Sequence, residues 1–263
     1  MNNYINFYYE LYPDNIVKSK DNYTFVINNE KYYFTIYNRD IAEIDTIFKL
    51  NREMIERNSL VHEIILNKKN EPLTLVDGVY YILLRVYVND TKIISIDDIL
   101  FMLNSNDSIM DNNIIGRTDW VKLWSLKIDY FEYQIGHLIK KYPYIYNTVD
   151  YYIGLGVTHR RIGANSTLFD LYNPLNLVID YKVRDIAEYI KDVFFNSDID
   201  VYKILNELFS KAIFDKPTLS LLFSRLLFPS YYFDLYENIL EMDLNENIIL
   251  NIIKKSTSYE KFL

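Results

Sequence analysis

Hydrophobic and polar residues alternate through most of the first 88 positions, which is the pattern of half-buried β-strands. A short helix is predicted at 4–12, and residues 22–38 predict two strands joined at Asn28-Asn29. The alternation and the β-branched and aromatic content are typical of such a hairpin. Helical spacing follows from Asp40 onward, with apolar residues on one face. Three further strands are predicted at 61–67, 73–76 and 79–88.

Beyond Val88 the chain is predicted to be mainly helical. Ser95 and Asp98 are spaced to cap a short helix, and the polar stretch 104–119 predicts an exposed loop. Aromatic and aliphatic residues recur every three to four positions over 120–141, which predicts an amphipathic helix. Further helices are predicted at 145–153, 183–195, 199–214, 217–228, 230–241 and 244–260.

These elements predict an α+β fold of two lobes. Residues 1–88 form the N-terminal lobe, a small antiparallel sheet with one helix. Residues 89–263 form a larger, mainly helical C-terminal lobe, joined to the first by a short hinge near 85–90.

Composition argues against several classes of function. The net charge of −8 is unfavourable for nucleic acid as a partner, because phosphate binding relies on clustered Lys and Arg. The chain has no Cys, which removes disulfides, thiolate metal sites and a cysteine nucleophile. His62, His137 and His159 are too scattered for a zinc site. No secretory signal is visible and the apolar runs are too short to span a bilayer, so we expect a cytoplasmic protein that does not bind membranes.

Tyrosine is unusually frequent, with 26 residues. AT-rich coding accounts for this frequency without any function. The alternative is a tyrosine-rich surface suited to protein contacts, since Tyr buries a large ring while keeping a polar tip.

The candidate chemistry lies between Ile153 and Tyr189. A loop containing His159 precedes an apolar run that ends at Asp180, and Arg184-Asp185 then opens a helix. Phosphotransferases of the kinase superfold have the same order of elements. In them a catalytic loop is followed by a metal-binding aspartate at a strand end, and then by a buried aspartate that braces the next helix.

This order resembles the aminoglycoside-phosphotransferase and choline-kinase branch of the kinase superfold. More narrowly, the chain is similar to the spore-coat kinase-like proteins of endospore-forming bacteria. The resemblance implies a two-lobed protein-kinase-like fold and a role in endospore coat assembly. The matching elements are Tyr152 to Leu155, His159-Arg160-Arg161, Asp180, Arg184 to Glu188 and the Trp-containing helix that begins near Asp119.

Parts that phosphoryl transfer requires are missing from the N-terminal lobe. A phosphate-covering loop between the first strands needs Gly for close backbone approach, and the first Gly of this chain is Gly78. The corresponding turn is predicted at Asn28-Asn29. The strand lysine that holds phosphates falls at Thr35 or a neighbour, none of which is cationic. Lys31 is nearby at the beginning of the strand, which makes it a weak candidate for cofactor binding.

The catalytic loop also departs from the pattern of active relatives, which read His-Gly-Asp followed five residues later by Asn. Here Arg160 and Arg161 follow His159, and Ser166 stands at the Asn position. Arginine stays charged and cannot accept the proton of a substrate hydroxyl. Asp180 alone survives as a metal ligand, which is weak support for Mg²⁺. The sequence therefore predicts a pseudokinase with no catalytic residues, the candidates being His159 and Asp180 if the protein is active.

The same residues have structural interpretations. Asp180 either caps the next helix or forms an ion pair with Arg160, Arg161 or Arg184. Asp185 is expected to brace the catalytic-loop backbone, and His159 to pack in its loop. Gly154 and Gly156 are explained as residues that end a helix.

Three hypotheses follow from the sequence and the resemblance. The first is a catalytically inactive kinase-fold protein that binds other proteins, spore coat components among them, and needs no cofactor. The second is an ATP- and Mg²⁺-dependent small-molecule phosphotransferase with a rearranged active site. The third is a nucleotide-binding sensor without turnover. Under the first hypothesis the spore coat is the alternative to a cytoplasmic location, and the sequence does not determine the oligomeric state.

Overall fold

The chain divides into two compact units. The first comprises Met1–Ile94, Asp98–Gly116 and Asn165–Ile179, and the second Ser95–Asp97, Arg117–Ala164 and Asp180–Leu263. The predicted lobe boundary at residue 88 falls outside the described residues and stays a prediction. A computed structural model describes residues 1–20, 22–87, 92–105, 116, 119, 120, 122–126, 128–130, 133, 165–178, 180–228 and 246–263.

The first unit is built on an antiparallel sheet of six strands. Their order is β1-β2-β3-β6-β4, and β5 also pairs with β6. Strand β1 was not predicted, because it is short and three of its four residues are exposed at the sheet edge, so it has no alternating apolar pattern. The strands are β1 (Ile16–Ser19), β2 (Asn22–Ile27), β3 (Glu30–Ile36), β4 (Glu63–Ile65), β5 (Leu73–Val76) and β6 (Val79–Val86).

Two tight turns fix the register of this sheet. Asn28 and Asn29 both have positive φ, at 51° and 64°, between β2 and β3. Asp77 and Gly78 have φ values of 50° and 83° between β5 and β6. Positive φ at both central residues matches the right-handed twist of the adjoining strands. The predicted hairpin at Asn28-Asn29 is confirmed, as are the predicted strands on either side of Asp77-Gly78.

The turn between β2 and β3 gives a small, testable effect on stability. Replacing Asn29 with alanine is expected to lower the free energy of unfolding by about 1 kcal/mol, because a Cβ without a polar group disfavours the left-handed backbone. Urea denaturation measures the change. Asn38→Ala is the matched control, since Asn38 is exposed and is not among the residues with positive φ. Equal effects from the two variants would contradict the assignment.

Each face of the sheet carries a separate hydrophobic core. One face packs against helix α2 (Ile44–Glu56), which follows a 3₁₀ turn at Ile41–Glu43. The other packs against helix α1 (Asn2–Tyr9) through Ile5, and there the rings of Phe34 and Tyr81 stack with centroids 4.9 Å apart. The α2 face buries Tyr37, Ile44, Ile47, Leu50, Ile64, Leu73, Ile82 and Leu84. The α1 face buries Phe25, Tyr32, Phe34, Val76, Tyr81 and Leu83 in addition to Ile5.

Residues 165–179 complete the first unit from a distant part of the sequence. Thr167 pairs with Ile93 across an isolated bridge and caps a one-turn helix through a reciprocal bond with Asp170. Leu175 and Leu177 pack against the α2 face of the sheet. Here α3 is Ile96–Ser105, α4 is Leu168–Leu171, and a 3₁₀ turn spans Pro174–Asn176.

The second unit is helical and centres on a helix that is buried on almost every side. This helix, α5 (Val183–Asn196), packs against α7 (Lys216–Leu227). Asp200 and Asp215 cap α6 and α7, and Pro217 lies in the first turn of α7 as predicted. Helix α6 spans Val201–Lys211 and α8 spans Glu246–Phe262.

The helical predictions at 183–195, 199–214, 217–228 and 244–260 are confirmed, with shifts at the ends. Helix α6 begins two residues later than predicted. The carboxylate of Asp200 accepts a hydrogen bond from the Tyr202 N–H, which makes Asp200 the N-cap and Val201 the first helical residue. Every described residue between 120 and 133 is helical, and Asp119 precedes this helix. The predictions at 145–153 and 230–241, and nearly all of the loop at 104–119, lie outside the described residues. No helix in the described part of the chain is long and apolar enough to cross a membrane.

Candidate functional site

Thr35 occupies the third strand, at the position where the resemblance places the phosphate-binding lysine. Its side chain is buried, with 8% exposed. The Thr35 hydroxyl donates to the side-chain oxygen of Asn22, which lies on the adjacent strand β2, at 2.5 Å. A neutral hydroxyl held inside the sheet supplies no positive charge for a phosphate.

Lys31 lies on β3 but four residues before Thr35. The two residues share a face, because side chains alternate along a strand. They are separated by about 13 Å at a rise of about 3.3 Å per residue. Lys31 lies opposite Val26 and Val86, near the end of the sheet. It therefore does not take the place of a lysine at position 35.

The chain has an earlier strand connection that was not predicted. It joins β1, which ends at Ser19, to β2, which begins at Asn22, and it precedes the confirmed hairpin at Asn28-Asn29. Lys20 adopts a left-handed backbone with φ of 53°. Neither connection contains Gly.

His159, Arg160 and Arg161 lie outside the described residues, as do Gly154 and Gly156. The residues that follow that loop are described. The carbonyl of Ser166 accepts a hydrogen bond from the Ile94 N–H at 3.0 Å. The Leu168 N–H donates to the carbonyl of Lys92 at 3.1 Å. The segment that carries Ser166 is thus joined to residues 92–94 through its backbone.

Arg39 holds the segment that precedes Asp180. Its Nε donates to Glu43 at 2.6 Å in a nearly buried ion pair. Its Nη1 donates to the carbonyls of Leu175 at 3.0 Å and Leu177 at 2.7 Å. The prediction of a strand ending at Asp180 is wrong for the described residues, since Leu177 and Val178 form no strand. A guanidinium, rather than a neighbouring strand, takes the carbonyl of Leu177.

Asp180 in the second unit is surrounded by hydrogen-bond donors. Its Oδ1 accepts from the Trp120 indole N–H and from the Tyr181 backbone N–H, each at 2.7 Å. Its Oδ2 lies 3.4 Å from the Nε of Arg184. The side chain is 5% exposed. Of the predicted partners the structure pairs Asp180 with Arg184, while Arg160 and Arg161 are not described.

Burial and charge act in opposite directions on this carboxylate. Burial raises the pKa of Asp180 above its ordinary value, and the charge of Arg184 and the bonds from Tyr181 and Trp120 only partly oppose the rise. Arg184 also donates to Asp185 at 2.8 Å, so that it links both aspartates.

A second group of buried charges follows one turn further along α5. Arg225, which is fully buried, donates from Nε to Glu188 at 3.1 Å. The Nζ of Lys191 lies 3.6 Å from the same carboxylate oxygen. Burial pushes the pKa of Glu188 upward, but Lys191, Arg225 and Arg184 outweigh it, and the pKa ends below its ordinary value. The Arg225 guanidinium also lies 4.6 Å from the centre of the Trp120 ring.

Comparisons with known proteins agree with this arrangement. Residues 147–263 match the family described as "Spore coat putative kinase YutH". The C-terminal part of the chain is therefore similar to the spore-coat kinase-like proteins. No curated protein sequence matches the chain.

The fold of the chain is similar to that of antibiotic phosphotransferases. An aminoglycoside phosphotransferase from Alicyclobacillus acidocaldarius matches with a TM-score of 0.62 and 9% identity over 95% of this chain and 89% of that one. An amicoumacin kinase in complex with AMP-PNP matches at 0.59 and 11% identity over 97% and 91%. The spectinomycin phosphotransferase APH(9)-Ia, bound to AMP, matches at 0.58 and 11% identity over 100% and 93%. The predicted two-lobed protein-kinase-like fold class is confirmed.

The resemblance to phosphotransferases predicts a divalent metal ion, and the described residues around Asp180 do not fit one. Mg²⁺ prefers an octahedron of oxygen ligands. Both hydrogen bonds that Asp180 Oδ1 can accept are already made, and Oδ2 faces a guanidinium. In the described ranges, no three His, Cys, Asp or Glu side chains form a group that could hold a metal ion.

Sequence reasoning missed Arg39, Trp120 as a partner of Asp180, and Arg225. The order Arg39 to Glu43 is an i,i+4 pair beside a helix start, and it could have been read from the sequence. Trp120 and Arg225 lie 60 and 45 positions from Asp180 along the chain, and no local pattern links them to it.

Proposed function

We propose that this protein works as a spore-coat kinase-like protein that transfers no phosphate and acts by binding other proteins of the endospore coat. The main support for the proposal is Thr35. It stands where phosphoryl transfer requires a phosphate-binding lysine, and its hydroxyl donates a hydrogen bond to Asn22. Asp180, with internal donors on both carboxylate oxygens, adds support from the second unit.

Exposed apolar side chains in the second unit support a role in protein contacts. Ile213 between α6 and α7 is fully exposed, and the nearby Phe209 is 51% exposed. Phe209 contacts Phe214 edge to face, with ring centroids 6.1 Å apart. Solvent-exposed apolar and aromatic side chains contribute much of the binding free energy when a protein interface buries them.

The proposal is tested first by thermal unfolding with and without millimolar ATP and Mg²⁺. We expect no shift in Tm. A ligand at a hundredfold excess over its Kd would stabilise the folded state by about 2.7 kcal/mol, which raises Tm by about 5–10 °C in a chain of this size.

Product analysis with the same samples separates the two alternatives. A Tm shift with phosphorylated product or ADP would establish the phosphotransferase and contradict the proposal. A shift without product would replace it with the nucleotide sensor. Asp180→Asn is the matched variant, because the phosphotransferase alternative requires Asp180 as its metal ligand and predicts that the variant is inactive.

A further inference from the structure

The carboxylate of Asp180 is held by side chains and backbone of its own unit. Trp120 reaches it from the helix that begins at residue 120, Tyr181 from the next peptide, and Arg184 from the first turn of α5. The Tyr181 ring also meets the Trp120 ring edge to face, with centroids 5.1 Å apart. Two of the three donors are therefore fixed by packing as well as by their hydrogen bonds.

The positive charge that a metal ion would supply at this carboxylate comes from guanidinium groups. The Nε of Arg184 lies 3.4 Å from Asp180 Oδ2. The guanidinium of Arg225 lies 4.6 Å from the centre of the Trp120 ring, whose indole N–H donates to the same carboxylate. Both arginines are nearly or fully buried, so their charges are weakly screened by solvent. A divalent cation would have to displace a donor and remain beside these like charges.

We infer that Asp180 is an internal anchor that joins the Trp120 helix to α5, with the Trp120 indole and the Arg184 guanidinium taking the coordination positions of a metal ion. The inference rests on the proposed function and explains part of it. The carboxylate at the position of a metal ligand in phosphotransferases has a structural role in this protein. It assigns to Trp120 a positioning role that the family match over 147–263 does not include.

The two tryptophans of the chain allow a direct test by NMR. Trp120 donates its indole N–H to Asp180, whereas the indole nitrogen of Trp124 is buried without a hydrogen-bond partner among the described residues. The ¹H–¹⁵N spectrum of the wild-type protein is recorded during a titration with Mn²⁺ alone, up to millimolar concentration. We expect both indole signals to keep their intensity. Loss of both indole signals, absent in Asp180→Asn, would overturn the inference, because the two rings have centroids 5.6 Å apart and a Mn²⁺ ion at Asp180 would broaden both signals.

The Asp180→Ala variant gives the complementary measurement. Removal of the acceptor is expected to move the Trp120 indole signal upfield and to speed its exchange with water, while the Trp124 signal moves less. An unchanged Trp120 signal would overturn the inference. If this variant does not fold, the wild-type titration decides alone. Mn²⁺ binding without product formation would overturn the inference but not the proposed function, which fails only if nucleotide binds or product forms.

Discussion

Replacing Arg225 with methionine is expected to lower the free energy of unfolding by about 3–5 kcal/mol, because it leaves a buried carboxylate without its hydrogen-bonded cation. Arg225 is fully buried and donates to Glu188, which is itself 5% exposed. Methionine preserves much of the volume, so the loss reports the charge and its hydrogen bond. The contact of the guanidinium with the Trp120 ring is lost as well. Lys191 remains near Glu188 and places the expected value towards the lower end.

Urea denaturation at neutral pH measures this change. The double variant Arg225→Met with Glu188→Gln is expected to recover part of the loss, since the uncompensated charge is removed with its partner. Lys211→Met is the surface control: Lys211 bonds to Asp97 and Glu207, but it is 44% exposed, and such exposed ion pairs contribute little to stability. A loss in Arg225→Met no larger than that of the control would show that the buried pair has no net role in stability.

Acidification from neutral pH towards pH 4 is expected to lower the free energy of unfolding through His62. Burial lowers the pKa of this histidine from 6.5 to about 4. Its Nε2 is 3.1 Å from the carbonyl of Phe169 and donates to it in the neutral ring, while Nδ1 is buried with no acceptor among the described residues. The folded state therefore resists protonation. The stability is complete above the unfolded pKa of 6.5 and is lost as the pH falls towards 4, by about 3 kcal/mol in total.

The contribution of His62 is isolated by comparison with His62→Gln, whose side-chain amide can donate to Phe169 but does not titrate. We expect the unfolding free energy of this variant to change less between pH 7 and pH 4 than that of the wild type, by about 3 kcal/mol. Other groups titrate in the same range: Glu188, with a lowered pKa, loses stability in acid, and Asp180, with a raised pKa, gains it. Both are unchanged in the variant. Parallel pH profiles for the two proteins would contradict the assignment.

Local patterns in the sequence predicted the elements well. The pair Asn28-Asn29 predicted the hairpin, and Pro217 predicted the start of α7. Both predictions were possible because turns and helix ends depend on a few neighbouring residues. Strand β1 was missed because three of its four residues face solvent and only pairing with β2 makes it a strand. Because β1 was missed, the connection between β1 and β2 was missed with it.

The candidate site was predictable only in part. The pairing of Asp180 with Arg184 follows from their i,i+4 spacing, and the change at Thr35 follows from the absence of a cation in the strand. The indole of Trp120 and the guanidinium of Arg225 reach the same region only because three helices of the second unit pack together. Such contacts depend on tertiary geometry, which residue spacing does not encode.

The first unit of the fold is discontinuous in the chain, and this has a consequence for its synthesis. Leu175 and Leu177 pack against the core on the α2 face, and Arg39 and His62 bond to carbonyls between residues 169 and 177. A ribosome must therefore add most of the residues up to 179 before the sheet can close that core. At about 5–20 residues per second, the N-terminal strands wait for several seconds with apolar surface uncovered. A fragment that ends at residue 94 would retain this exposed surface permanently.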